Sequence, residues 1–206
     1  GKGRGGDHSV IGAELAAHYP ERVATASFIG PVPLTEAERN EFRKHYSTPF
    51  SPDPDGQYLL TTWKYLQGLG AGADLALLHR ELLDTARAYM GRFMAYTNVW
   101  NQDWIALYKQ IRCPLQIMCA KDDVLHSYFD RARELRPDAE AVILSGASFE
   151  PDLDAKTVAA AYQAFLARHG SLTGNFHVDL ARAARQKLAA IVAPPPPEPP
   201  PVDPAC

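Results

Sequence analysis

The sequence predicts an α/β domain, a short parallel sheet flanked by helices and interrupted by a helical insertion. Three observations predict it. Short, nearly all-apolar runs at residues 24–30, 114–120 and 141–144 suit strands buried on both faces, as parallel strands are. Helical patterns separate these runs, as successive βαβ units require. The block between the first and second runs, residues 35–110, is helical throughout and far too long for a loop.

The elements justify themselves in chain order. Residues 10–18 (VIGAELAAH) are rich in good helix formers, and Pro20 lies just past their end. The run 24–30 closes at Gly30-Pro31. Thr35 followed by Glu38 matches a capping box and opens the helical block. Ser51-Pro-Asp-Pro-Asp-Gly56 reads as a turn, and further helices are expected over 58–67, 74–90 and 101–111. Pro114–Ala120 is the second strand, a helix covers 127–135, and Ala141–Leu144 is expected to be buried like the others. A helix over 155–168 carries an apolar stripe of Val158, Ala161, Tyr162, Phe165 and Leu166. Residues 178–192 are Ala-rich and helical in pattern. The proline run from Pro194 suits a polyproline II linker or tail, with an SH3-type ligand as the other reading.

Composition narrows the function classes. The 206 residues carry a net charge of -3 and are 46% hydrophobic, enough for one core. Lys and Arg are scattered, which argues against a nucleic-acid partner, and no apolar run approaches the length of a membrane span. Cys113, Cys119 and Cys206 form no CxxC or Cys/His spacing, so no metal or other cofactor is expected, and a reduced, cytoplasmic protein is the simpler expectation. Aromatic residues crowd the helical block, among them Tyr96, Trp100, Trp104 and Tyr108. They suit a helical core, and some of them suit the wall of an apolar ligand pocket.

Several segments, in order, resemble the α/β-hydrolase superfamily. Leu15-Ala-Ala-His-Tyr-Pro-Glu-Arg-Val23 is similar to the end of the helix that follows the nucleophile elbow, and Phe28-Ile-Gly30 to the next strand. Cys113-Pro-Leu-Gln-Ile-Met-Cys-Ala-Lys-Asp-Asp123 is similar to the strand that carries the acid of the triad. Ala141–Phe149 is similar to the strand and loop that end in Gly-His-Phe. The resemblance covers about residues 6–169 and implies a division into an elbow helix and first strand (1–33), a helical cap (34–110), the C-terminal part of the core (111–169) and a tail (170–206). It also implies that the strands preceding the elbow lie outside this sequence. The fold is then a truncated α/β-hydrolase fold with an open sheet edge, which favours self-association and low stability in isolation.

The family's chemistry needs a nucleophile on a strained turn, a His base and a carboxylate that orients it. The resemblance assigns the carboxylate to Asp122, while a turn-capping role suits Asp122 and Asp123 equally. The His position falls on Ser148 or, in the alternative register, on Phe149, and neither can accept a proton from a serine and return it. His126 lies close in sequence to Asp122 but suits a surface or cap contact better. Ser9, in Asp7-His-Ser-Val-Ile-Gly12, is the nucleophile candidate, although Ile11 stands where the tight elbow wants glycine. The short interval from Ser9 to Pro20 would instead put the elbow at Gly6, leaving no nucleophile, and a slip of one offers Asp7. The glycine-rich start lacks the order of a phosphate loop. The expectation is therefore a hydrolase of an ester, lactone or similar small apolar substrate. The alternative is a catalytically degenerate relative that binds a ligand or partner without hydrolysis.

Overall fold

The computed structural model describes residues 5–47 and 50–169. Helix α1 (Gly5–His18) leads through a short 3-10 turn into strand β1 (Ala26–Ile29). Five helices follow: α2 (Glu36–Tyr46), α3 (Gln57–Gly68), α4 (Leu75–Arg87), α5 (Tyr89–Asn101) and α6 (Trp104–Gln110). Then come β2 (Leu115–Ala120), α7 (Phe129–Leu135), β3 (Glu140–Leu144), the short α8 (Glu150–Leu153) and α9 (Ala155–His169). The expected tail helix and the proline run lie outside the described residues.

The three strands form one parallel sheet in the order β1-β2-β3, with Phe28 opposite Ile117 and Ile117 opposite Ala141. Strand β2 is central and buried along its whole length, as its nearly all-apolar run predicts. Strand β3 departs from expectation: Ala141 and Ile143 are exposed, so only one of its faces is covered. Gln116 sits inside the sheet with its polar atoms satisfied. Its Oε1 accepts from Ser27 Oγ at 2.9 Å, and its Nε2 donates to the Ala161 carbonyl at 3.1 Å. That one side chain ties β1, β2 and α9 together without leaving a buried amide unpaired.

Helix α1 packs through Val10, Ala13 and Ala16 against β1 and α6. Gly12 is there because Phe28 occupies the space, and a Cβ at residue 12 would lie 2.8 Å from the Phe28 ring. Trp104 stacks on Tyr108 at 4.2 Å, edges Phe28, and donates its indole N–H to the Ser9 carbonyl at 3.2 Å. Two of the clustered aromatics are thus core residues beneath the sheet. Arg136 closes the end of α6 by donating to the Ile111 carbonyl at 2.7 Å while pairing with Asp138.

The capping box at Thr35 and Glu38 forms, with the Thr35 N–H donating to Glu38 Oε2 at 2.7 Å. Glu38 also receives both terminal nitrogens of Arg131, at 2.5 and 3.0 Å, and this pairing holds its carboxyl down at about 2. It pins the start of the helical block to α7. The single helix expected over 74–90 is two helices, because Ala88 leaves the helical region at φ -109°, ψ 26° and no Gly or Pro announces the break. Helix α5 then runs to Asn101 through a stretch the periodicity did not show. A second apolar cluster, Leu66, Leu69, Ala71, Leu77 and Leu78, holds α3 to α4 and reaches Phe149 in the core.

Candidate functional site

The carboxyl ends of the three strands open under the helical block, the side of an open α/β sheet on which ligands bind. Three turns converge there. After β1, Gly30 takes φ 64° and donates its N–H to the Met118 carbonyl, and after β2 the Asp123 N–H closes a turn onto the Ala120 carbonyl. After β3, Gly146 (φ 99°) and Ala147 (φ 50°) both lie in the left-handed region. For alanine that conformation costs roughly 1 kcal/mol. The Ser148 N–H in turn donates to the Leu69 carbonyl, which joins this loop to the helical block.

The turns enclose a mostly apolar cleft of about 40 Å³. Phe42, Tyr46, Tyr96, Val99 and Trp100 form its wall from the helical side, and Asp123, Ser148 and Glu150 form its polar end. Glu150 is 1% exposed and its Oε1 accepts the Ala120 N–H at 3.2 Å. Burial, reinforced by the charge of Asp123, raises its carboxyl from 4.5 to about 7. Asp123 is held facing inward by accepting the Leu125 N–H at 2.6 Å. Trp100 Nε1 and Ser148 Oγ are buried with no hydrogen-bond partner in the structure.

The residues singled out from the sequence fall in different places. Ser9 is buried inside α1, the fifth residue of that helix, and its hydroxyl donates to the Ile29 carbonyl at 2.7 Å. It is on no turn and is not among the residues lining the cleft. Asp122 is exposed and outside the cleft, whereas its neighbour Asp123 lines it. Ser148 and Phe149 are both buried at the end of β3, and Ser148 lines the cleft. Asp7 lies in α1 among residues whose side chains are not described. Among the described residues no histidine lines the cleft, and the His126 ring lies parallel to Phe129 at 6.2 Å. Cys119, near the end of β2, is buried, and burial pushes its thiol well above the ordinary range, away from the thiolate a nucleophile needs.

Glu150 is the residue that sequence reading missed. It lies two residues beyond Ser148 and one beyond Phe149, but a lone Glu opening a four-residue helix looks like an ordinary surface acid. Among the described residues no cluster of His, Cys, Asp and Glu could hold a metal, and no helix is long and apolar enough to cross a membrane.

No protein-family model and no curated protein matches the sequence. Solved structures do match. A hydrolase from Pseudomonas aeruginosa PA01 is similar over 77% of this chain and 61% of its own, at 16% identity and TM-score 0.58. E-2-(acetamidomethylene)succinate hydrolase is similar over 78% and 63%, at 18% identity and TM-score 0.57. The enol-lactonase from Burkholderia xenovorans LB400 is similar over 77% and 62%, at 13% identity and TM-score 0.54. The described core of this chain has the α/β-hydrolase fold in part, a three-stranded parallel sheet with its helices. The chain spans about three-fifths of the length of these structures, at 61–63% of each.

Proposed function

We propose that this chain binds a small, largely apolar molecule in the cleft at the carboxyl edge of the sheet and does not hydrolyse it by a serine mechanism. The observation that carries this reading is the composition of the site. Where the resemblance places a His base, the chain has Ser148, which lines the cleft, or Phe149, which is buried outside it, and the candidate nucleophile Ser9 has its hydroxyl committed to a strand carbonyl inside a helix. Among the described residues no histidine lines the cleft and Ser9 does not reach it, so the Ser–His pair that begins the acyl-transfer cycle is not assembled there. The aromatic wall and the few polar groups at one end suit binding.

Hydrolysis of an ester or lactone is the second reading, supported by the shared fold, since several proteins of this fold, an enol-lactonase among them, are hydrolases. Fold alone does not carry the activity across. The purified full chain treated with a fluorophosphonate probe and assayed on p-nitrophenyl esters separates the two. The binding reading expects no adduct at Ser9 and turnover at background. Turnover that is lost on Ser9→Ala or Asp122→Asn would overturn it.

A further inference from the structure

We propose that the groove at the C-terminal ends of α1 and α6 is a binding site for a small phosphate-bearing molecule. It shares no lining residue with the cleft, so it stands or falls apart from the function proposed above. The groove has a volume of about 490 Å³, the scale of a small-ligand site. His18 lines it from the end of α1, and Lys109 and Arg112 line it from the end of α6 and the residues just beyond. All three are exposed, and among the described residues none of them makes an ion pair or a side-chain hydrogen bond. No acidic side chain lines the groove. The chain as a whole carries a net charge of -3, so the three cations are a local concentration and not a share of a general excess.

Basic side chains at a helix C-terminus commonly serve the helix itself, by meeting its free carbonyls and its dipole. Here other groups already meet those carbonyls. Arg136 donates to the Tyr108 carbonyl at 3.3 Å and to the Ile111 carbonyl at 2.7 Å, and Gln110 Nε2 donates to the Ala106 carbonyl at 3.0 Å. The end of α1 is closed by backbone, where the Tyr19 N–H donates to the Leu15 carbonyl and the Arg22 N–H to that of Tyr19. His18, Lys109 and Arg112 are therefore left for a guest. A phosphate monoester suits them, because it is compact, carries close to two negative charges at neutral pH and accepts on three oxygens. The Arg112 guanidinium offers paired donors in the fork that matches such a group, and a carboxylate, with one charge and two oxygens, gains less. Ala17 and Pro20 supply apolar surface for the organic part of the ligand. The groove is open to water, which weakens each charge contact, so the dissociation constant expected for inorganic phosphate is millimolar.

The probes are inorganic phosphate, phenyl phosphate and benzoate, each titrated into the full chain at constant ionic strength while backbone amide resonances are followed by NMR. Both phosphates are expected to shift the resonances of residues 17–19 and 109–112 saturably, phenyl phosphate the more tightly. Benzoate is expected to bind about fivefold or more weakly than phenyl phosphate. Lys109→Gln and Arg112→Gln replace exposed side chains, so the fold is kept, and each is expected to weaken phosphate about fivefold, the loss of one exposed charge contact. Shifts that stay linear in phosphate, that benzoate reproduces with equal affinity, or that survive both substitutions unchanged overturn the inference. Vesicles of phosphatidic acid in phosphatidylcholine separate a lipid head group from a free phosphate ester. Sedimentation of the chain with those vesicles, without saturable binding of phenyl phosphate, overturns the inference in favour of a membrane surface. None of these outcomes bears on binding in the cleft.

Discussion

Replacing Glu150 by Gln should change the pH dependence of stability in a way that only a buried, proton-binding carboxyl predicts. In the folded protein the Glu150 carboxyl is raised from 4.5 to about 7, first by burial and then by the charge of Asp123. The folded state therefore holds a proton at pH values where the unfolded chain has released it. Stability from this group is fully present below about pH 4.5 and is lost as pH rises to about 7. At about 1.4 kcal/mol per pH unit across that interval, the loss amounts to roughly 3 kcal/mol. The residue is 1% exposed, so solvent screening takes little from this figure. Glutamine keeps an oxygen for the Ala120 N–H but cannot ionise. Its second amide proton needs a partner, a cost of about 1–3 kcal/mol that is the same at every pH. Urea unfolding of both proteins followed by circular dichroism between pH 4.5 and 8.5 should show the variant gaining on the wild type by roughly 3 kcal/mol as pH rises. A gap that stays constant across that range would refute the reasoning, because it would mean that Glu150 ionises alike in both states.

Three further outcomes follow from the packing. Arg131→Met removes the partner that holds Glu38 at about 2, so its cost, about 1 kcal/mol after discounting for partial exposure, should be full above pH 4.5 and fade as pH falls towards 2, measured by the same unfolding assay. Gly12→Ala exchanges a poor helix former for the best one, yet it should destabilise by about 1–3 kcal/mol because its Cβ meets the Phe28 ring; a rise in melting temperature would contradict the close approach. Ser9→Ala should lose about 1 kcal/mol of stability by denaturant unfolding, through the hydrogen bond to Ile29, and leave esterase turnover at background.

Much of the framework was legible one residue at a time. The apolar run at 115–120 is a strand because six consecutive residues that bury completely leave no solvent face, the mark of a central parallel strand. The Thr35–Glu38 box is a local interaction between residues three apart, so its capping geometry could be read directly. Strand β3 was misjudged because a short apolar run looks the same whether one face or both are covered, and only the packing of α9 decides that. The break at Ala88 escaped because alanine favours helix and no Gly, Pro or capping side chain marks the junction.

The site divides along the same line. Sequence by itself determined the alternation of strands and helices, the cap of one helix, and the absence of a His in the segment where the fold would hold its base, since each depends on neighbours along the chain. Tertiary structure alone decided that Asp123 rather than Asp122 faces the cleft, that Ser9 is spent on the Ile29 carbonyl, and that Glu150 is a buried acid. The reason is physical: ionisation and reactivity depend on which groups and how much water surround a side chain. Asp123 and Glu150, 27 residues apart, acquire their coupling only when β2 and β3 bring their ends together.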